Sequence, residues 1–236
     1  MIPTMIWLDK LLSHRINLAD EHAARLKSWR ELPLSETPGR LDDTRIVVVD
    51  METTGLNLAK DNLIAIGAVA IVNGKIDLED SFEMVLQQAS SSSTQNILIH
   101  GIGGDTQTGG QAPVEVLLAF LEYLQKDPLV AFHVTFDETM LCRAIKQHLG
   151  FVFKHDWLDL AYVTPGLYPE LGKRFRALDD WLNYFHIQNY ARHNALADAV
   201  STAQLFMVTS NAAAQKNIAD YQALRQLEKA QRWISH

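Results

Sequence analysis

Between Arg45 and Asn57 the chain reads RIVVVDMETTGLN, a run of β-branched residues that ends on two carboxylates separated by one residue. Such a run has the composition of a buried strand. On a strand, residues two apart share a face, so Asp50 and Glu52 aim both carboxylates at one spot before Thr53-Thr54-Gly55 turns the chain. An unpaired buried charge costs several kcal/mol or is neutralised, so the pair needs a compensating partner if both groups stay ionised. The stretch alone leaves open a plainer alternative, a strand end whose acids hang into solvent.

The segments around it predict an α/β architecture. LIAIGAVAIV and KIDLEDSFEMVL read as two more strands, joined by Asn73-Gly74, a strong hairpin signal. QQASSSSTQN reads as a polar loop. The Gly-rich HGIGGDTQTGGQ reads as another loop rather than a phosphate cradle, because it follows no strand and leads to Pro113 at a helix start. The helix APVEVLLAFLEYLQ, the short strand PLVAFH and a helix opening at Thr135 follow. Thr135 and Glu138 have capping-box spacing, which places Asp137 in the first helical turn, where the helix dipole favours an ionised carboxylate. DWLDLAYVTPGLYP, FRALDDWLNYF and HNALADAVSTAQLFMVTSNAAA supply further helices, and DYQALRQLEKAQRWI is an amphipathic one at the end. A hairpin followed by helix-flanked strands is a mixed-sheet pattern.

Residues 1–42 read as an N-terminal helical extension and linker, 43–212 as the core domain and 213–236 as a C-terminal helix. In the extension Trp7, Leu8, Leu11, Leu12, Ile16, Leu26, Trp29 and Leu32 recur at roughly helical intervals until ELPLSETPGR breaks the pattern. The extension either packs on the core or offers Trp7, Leu11 and Trp29 to a protein partner or a second copy of the chain.

Composition narrows the function classes. An apolar content of 47% with 21% charged residues suits a globular protein, and no apolar run approaches the roughly 20 residues of a membrane helix. Cys142 is the only cysteine, which rules out an internal disulfide, and the first residues do not resemble a signal peptide; the expected compartment is a reducing cytoplasm. A net charge of −7 argues against gripping long stretches of nucleic acid, though not against chemistry at a strand end, where bound divalent cations reverse the local sign.

His193 and Asp198 in RHNALADA are five positions apart, about 140° around a helix, and cannot point the same way if both lie within one. The spacing predicts a helix that starts after His193 with Asn194 as its cap, so that His193 enters from the preceding loop and Asp198 points inward.

VVVDMETTGL, AFHVTFDETML and RHNALADAVSTAQLF, in this order, resemble the three motifs of the DEDDh (DnaQ-like) 3′-to-5′ exonucleases, the group that contains the proofreading epsilon subunit of bacterial DNA polymerase III. The likeness extends through ILIHGIGG, WLDLA and LDDWLNYF and covers most of residues 45–207. It implies a ribonuclease H-like fold, a mixed five-stranded sheet flanked by helices. It makes Asp50, Glu52, Asp137 and Asp198 the metal-binding carboxylates and His193 the general base; Asn194 stands where a sister group has tyrosine. It also points to Thr53, Thr54, Gly55 and Leu56 for the terminal nucleotide, Phe136 for the wall of the base pocket and His100 for a position near the site. Val134 follows His133 where the family commonly has asparagine.

Elementary electrostatics agrees with that assignment. Two carboxylates about 5 Å apart repel by roughly 3 kcal/mol at an effective dielectric near 20, so four in one pocket call for cations. Oxygen ligands suit Mg2+ or Mn2+ better than zinc. Two such ions would activate water against the last phosphodiester, with His193 accepting its proton, and a nucleoside 5′-monophosphate would leave. The expected substrate is the 3′ end of DNA, single-stranded for preference; the alternatives are an exoribonuclease, an enzyme that degrades short oligonucleotides, and a non-catalytic module that binds ends. The C-terminus shows no Gln- or Pro-rich tether, which favours a stand-alone or differently partnered exonuclease over the replicative proofreading subunit.

Overall fold

The computed structural model describes residues 16–33, 39, 41 and 44–234. Trp7, Leu8, Leu11 and Leu12 lie outside the described residues. A helix, α1 (Asp20–Glu31), precedes the hairpin-bearing strands β1 (Ile46–Thr53), β2 (Leu63–Val72) and β3 (Lys75–Val85). Then come α2 (Thr94–His100), α3 (Gly104–Thr108), α4 (Pro113–Leu124), β4 (Leu129–Ala131), α5 (Val134–Leu149) and β5 (Trp157–Asp159). The chain continues through α6 (Leu160–Leu167), α7 (Pro169–Gly172), α8 (Leu178–Tyr184), α9 (Ala195–Gln215) and α10 (Tyr221–Ile234).

The five strands form one mixed sheet in the order β3-β2-β1-β4-β5. β1 pairs antiparallel with β2 and parallel with β4, and β5 continues the parallel half. Asn73 and Gly74 turn the hairpin with φ of 50° and 70°, the left-handed values that an Asn-Gly pair tolerates. The sheet ends on β3, in which Asp77, Glu79 and Glu83 are exposed and whose pairing with β2 is bulged between Val69 and Ala70.

The alternation along β1 sorts the core into two layers. Val47, Val49 and Met51 join Trp29 of α1 and Leu117, Leu121, Leu141 and Ile145 of α4 and α5. Ile46 and Val48 join Val163, Trp181, Leu205, Phe206 and Leu224 of α6, α8, α9 and α10. By strand parity Asp50 and Glu52 continue the second set, so the two acids emerge beneath α9.

The extension packs on the core along α1. Trp29 is buried, its indole Nε1–H donates to the Gln125 carbonyl at 2.8 Å, and Arg25 pairs with Glu122 and Glu115. C-terminal α10 likewise packs against α6 and β5.

Several local expectations need correction. The polar and Gly-rich stretches are not continuous loop: Ser93 caps α2 by accepting the Asn96 N–H, Gly101 ends it at φ 71°, and α3 follows. Thr135 does not open a capping box. α5 starts one residue earlier, with His133 at φ 67° as its N-cap and no side-chain cap, while the Thr135 carbonyl accepts from Thr139. WLD is strand β5, not helix; both faces of this three-residue strand are buried, so it carries no alternating pattern to read.

One glycine decides how closely the layers meet. Gly67 of β2 faces Asp50 of β1, and a Cβ there would lie 2.1 Å from the Ala195 carbonyl carbon, so only glycine admits the start of α9 onto the sheet. Gly67→Ala is expected to cost about 2 kcal/mol of stability through overpacking, read from denaturation midpoints. Trp29→Ala is expected to cost about 3 kcal/mol by the same measurement if α1 is integral to the core, whereas an unchanged midpoint would mean that α1 is only loosely applied.

Candidate active site

The site is assembled from three parts of the fold: the end of β1, the first turn of α5, and the loop and first turn of α9. Asn194 takes non-helical backbone angles and its side chain accepts the Ala197 N–H at 2.9 Å, so α9 begins at Ala195. The Asn194 amide also donates to Glu83 of β3 at 2.8 Å, tying the cap to the sheet. His193 precedes the cap with φ of 66°, and this left-handed residue turns the loop so that its ring and Asp198 approach the same place. One ligand atom from each of Glu52, His193 and Asp198 lies within 4.8 Å of the other two.

Asp198 is 1% exposed and heavily engaged. Its carboxylate accepts from Asn189, from Arg192 Nη1 at 2.5 Å and from the His193 backbone N–H at 3.0 Å. Arg192 also donates from Nε to Asp179 at 2.8 Å. Asp137 is buried in the first turn of α5, where its own backbone N–H and that of Met51 favour its charged form.

The electrostatics registers the convergence of the four carboxylates. Burial pushes the Asp50 carboxyl well above the usual range, and Asp137, Asp198 and Glu52 push it further, against Arg192. Glu52 is pushed up to about 8 by burial and then by Asp198, again opposed by Arg192. Asp137 is raised mainly by burial, with Asp159 and Glu52 adding to it. The protein's own groups therefore leave the cluster short of positive charge. An oxygen-rich donor set with one imidazole and a charge deficit fits hard divalent cations.

The remaining sequence-predicted residues lie at the end of β1 and the turn after it, in the first turn of α5 and at the end of α2. Thr53 ends β1 and donates to the Gly55 carbonyl at 2.7 Å; Thr54 donates to Asp61 at 3.0 Å and accepts from the Asn62 N–H. Both hydroxyls thus shape the turn, while Leu56 stands 86% exposed at its tip. Phe136 is half-buried in the first turn of α5. His100, the last residue of α2, is buried; its Nδ1 accepts the Ile102 N–H at 2.9 Å, which puts the ring proton on Nε2, and that atom is buried without a partner. Burial lowers the His100 pKa, with a smaller contribution from His193 nearby. Val134 is buried in the core.

Sequence reasoning passed over the supports. Gly67 offered a signal, an isolated glycine inside a strand, which often marks a close approach. Asn96, which donates to the Thr53 carbonyl at 2.7 Å, Arg143, which donates to the Asp61 carbonyl at 2.9 Å, and Asn189 and Arg192 on Asp198 offered none, since no short-range spacing links them to what they hold.

Comparison with known proteins places this geometry. The exonuclease family profile matches residues 47–206. A PolC-type DNA polymerase III from Thermotoga petrophila is 31% identical over 166 residues, 70% of this chain but 12% of that protein, so the chain spans a small part of this relative. The DNA polymerase III epsilon subunit of Aquifex aeolicus is 27% identical over 188 residues, covering 79% of this chain and 91% of the subunit. E. coli exonuclease I in complex with a dT13 oligonucleotide shares the fold with a TM-score of 0.64 at 15% identity, over 73% of this chain and 42% of that one. The sheet order and the profile match agree: the chain belongs to the exonuclease family, as its resemblance to the DnaQ-like 3′-to-5′ exonucleases implies.

Proposed function

We propose that this chain hydrolyses the terminal phosphodiester at the 3′ end of DNA, preferably a single-stranded end, and releases nucleoside 5′-monophosphates. The observation that carries the reading is the convergence of Glu52, His193 and Asp198 within 4.8 Å, with Asp137, Asp198 and Glu52 close enough to Asp50 to raise its affinity for protons. Asp50, Glu52, Asp137 and Asp198 would hold two divalent cations, Mg2+ or Mn2+. When bound, these supply positive charge and Lewis acidity against the scissile phosphate and the attacking water.

The protein's own residues then have distinct tasks. His193 takes the proton of the attacking water, for which a histidine near neutral pH is suited. His100 presents its unpartnered Nε2–H to a phosphate or sugar oxygen, an interaction that would satisfy an otherwise costly buried donor. Thr53, Thr54 and Gly55 give the turn its shape, Leu56 meets the terminal nucleotide, and Phe136 walls the base. Nucleic-acid 3′ ends are thus the proposed partner. Among the described residues no helix is long and apolar enough to cross a membrane.

The decisive assay compares labelled single-stranded DNA and RNA oligonucleotides of one sequence with Mg2+ or Mn2+. Release of 5′-monophosphates that falls at least about a hundredfold in His193→Ala, and at least as far in Asp50→Asn, is expected. Faster cutting of RNA would transfer the assignment to an exoribonuclease, and binding of ends without release would leave a recognition module. His100→Ala is expected to slow release by about tenfold, the scale of one lost hydrogen bond to a charged group.

The proton affinities give a pH signature. Glu52 rises from an ordinary 4.5 to about 8, and Asp50 and Asp137 also rise, chiefly because burial disfavours their charged forms. A raised carboxyl contributes stability below its unfolded pKa and loses it as pH rises through the folded value. Without divalent ions the melting temperature is expected to fall between about pH 5 and pH 8, and saturating Mn2+ should remove most of that fall. A flat profile without metal would argue against the cluster.

A further inference from the structure

The C-terminal helix α10 lies beyond the segment that matches the family profile, yet it carries a deeply buried charge network outside the carboxylate cluster. Asp159, the last residue of β5, is 1% exposed, and Glu228 of α10 is 3% exposed. Two arginines of α10 hold them. Arg225 pairs with Asp156 at 3.3 Å and Glu228 at 2.7 Å; Arg232 pairs with Glu228 at 2.8 Å and Asp159 at 2.9 Å. The Arg232 guanidinium also lies 4.2 Å from the Tyr162 ring centre, so its position is fixed on two sides.

Asp159 spends its other oxygen on the start of the helix that bears Asp137. Its Oδ1 accepts the His133 backbone N–H at 3.0 Å and the Ala161 N–H at 3.0 Å. His133 is the N-cap of α5 at φ 67° and ψ 53°, a conformation that costs a non-glycine residue about 1 kcal/mol and persists only where the surroundings enforce it. Its ring reaches the Arg176 carbonyl at 3.2 Å, but no side chain caps the helix. The carboxylate of Asp159 therefore fixes both the entry into α5 and the first turn of α6, and Arg232 fixes the carboxylate.

We infer that Arg232 is a positioning residue for the active site: through Asp159 and His133 it sets where α5 begins and hence where Asp137 stands. The inference rests on the reading of Asp137 as a cation ligand. It assigns to a helix outside the family match a part in building the site, which neither a packing role for α10 nor the motif residues supply.

The test uses the full chain with Arg232→Met, which keeps the aliphatic stem and removes the charge, and Arg232→Lys, which restores a cationic donor. Amide hydrogen exchange is followed in peptides from residues 132–141 and, as an internal reference, in the hairpin of residues 63–85; Mn2+ affinity is measured alongside. Arg232→Met is expected to speed exchange at 132–141 about tenfold with the hairpin unchanged, and to weaken Mn2+ binding about tenfold, the scale seen when an outer support of a metal ligand is lost. Arg232→Lys should recover most of both. Exchange that stays unchanged at 132–141, or that rises equally in the hairpin, would overturn the inference and leave α10 a general stabiliser. Neither readout needs turnover, so a chain that binds Mn2+ yet cuts no oligonucleotide would sink the exonuclease reading while the exchange comparison still judges Arg232.

Discussion

Mutual repulsion among carboxylates is the constraint around which this molecule is organised. Burial raises the proton affinity of Asp50, Glu52 and Asp137; Asp137, Asp198 and Glu52 raise that of Asp50 further, Asp198 that of Glu52, and Glu52 that of Asp137. Such a cluster would spread apart on flexible loops. Here Asp50 and Glu52 are fixed by a central strand paired on both sides, and Asp137 and Asp198 by the first turns of two long helices. Arg192 and several backbone N–H groups offset part of the charge, and cations are the natural means of offsetting the rest.

The scaffold brings these elements together by a few close fits. Gly67 lets the N-terminal end of α9 touch the sheet opposite Asp50. His193 and His133, both in the left-handed region, reverse the chain just before α9 and α5, so that each helix presents an acid in its first turn. The site lies near the carboxyl ends of β1 and β4, where parallel strands diverge from their connecting helices and where ligands of open α/β sheets characteristically bind.

Much of this was legible in the chain. The β-branched run of RIVVVDME with its two acids two apart, the Asn73-Gly74 turn and the Asn194 cap each state a local preference that the fold obeys, so the first strand, the hairpin and the start of α9 follow from neighbours in sequence. What escaped was set by distant partners. β5 is too short and too fully buried to show alternation, α2 hides in a serine-rich stretch because its signal is a single capping hydroxyl, and α5 starts at a backbone angle that Asp159 stabilises from another strand. The motif residues were legible because their spacing is local. Their supports, Arg192 on Asp198 and Asn96 on the Thr53 carbonyl, meet them only in three dimensions.

The bulged, acid-rich β3 at one side of the sheet has a consequence for how the chain meets other copies of itself. A long exposed strand is a template on which further strands add, and flat apolar edges invite aggregation. Exposed Asp77 and Glu79 would set like charges against one another in a self-paired edge, and the break in register at Val69 and Ala70 twists the line of free backbone groups away from a straight partner. At the other side β5 offers only three residues. The bulged, acidic β3 and the short β5 thus make each side of the sheet a poor template for a further strand.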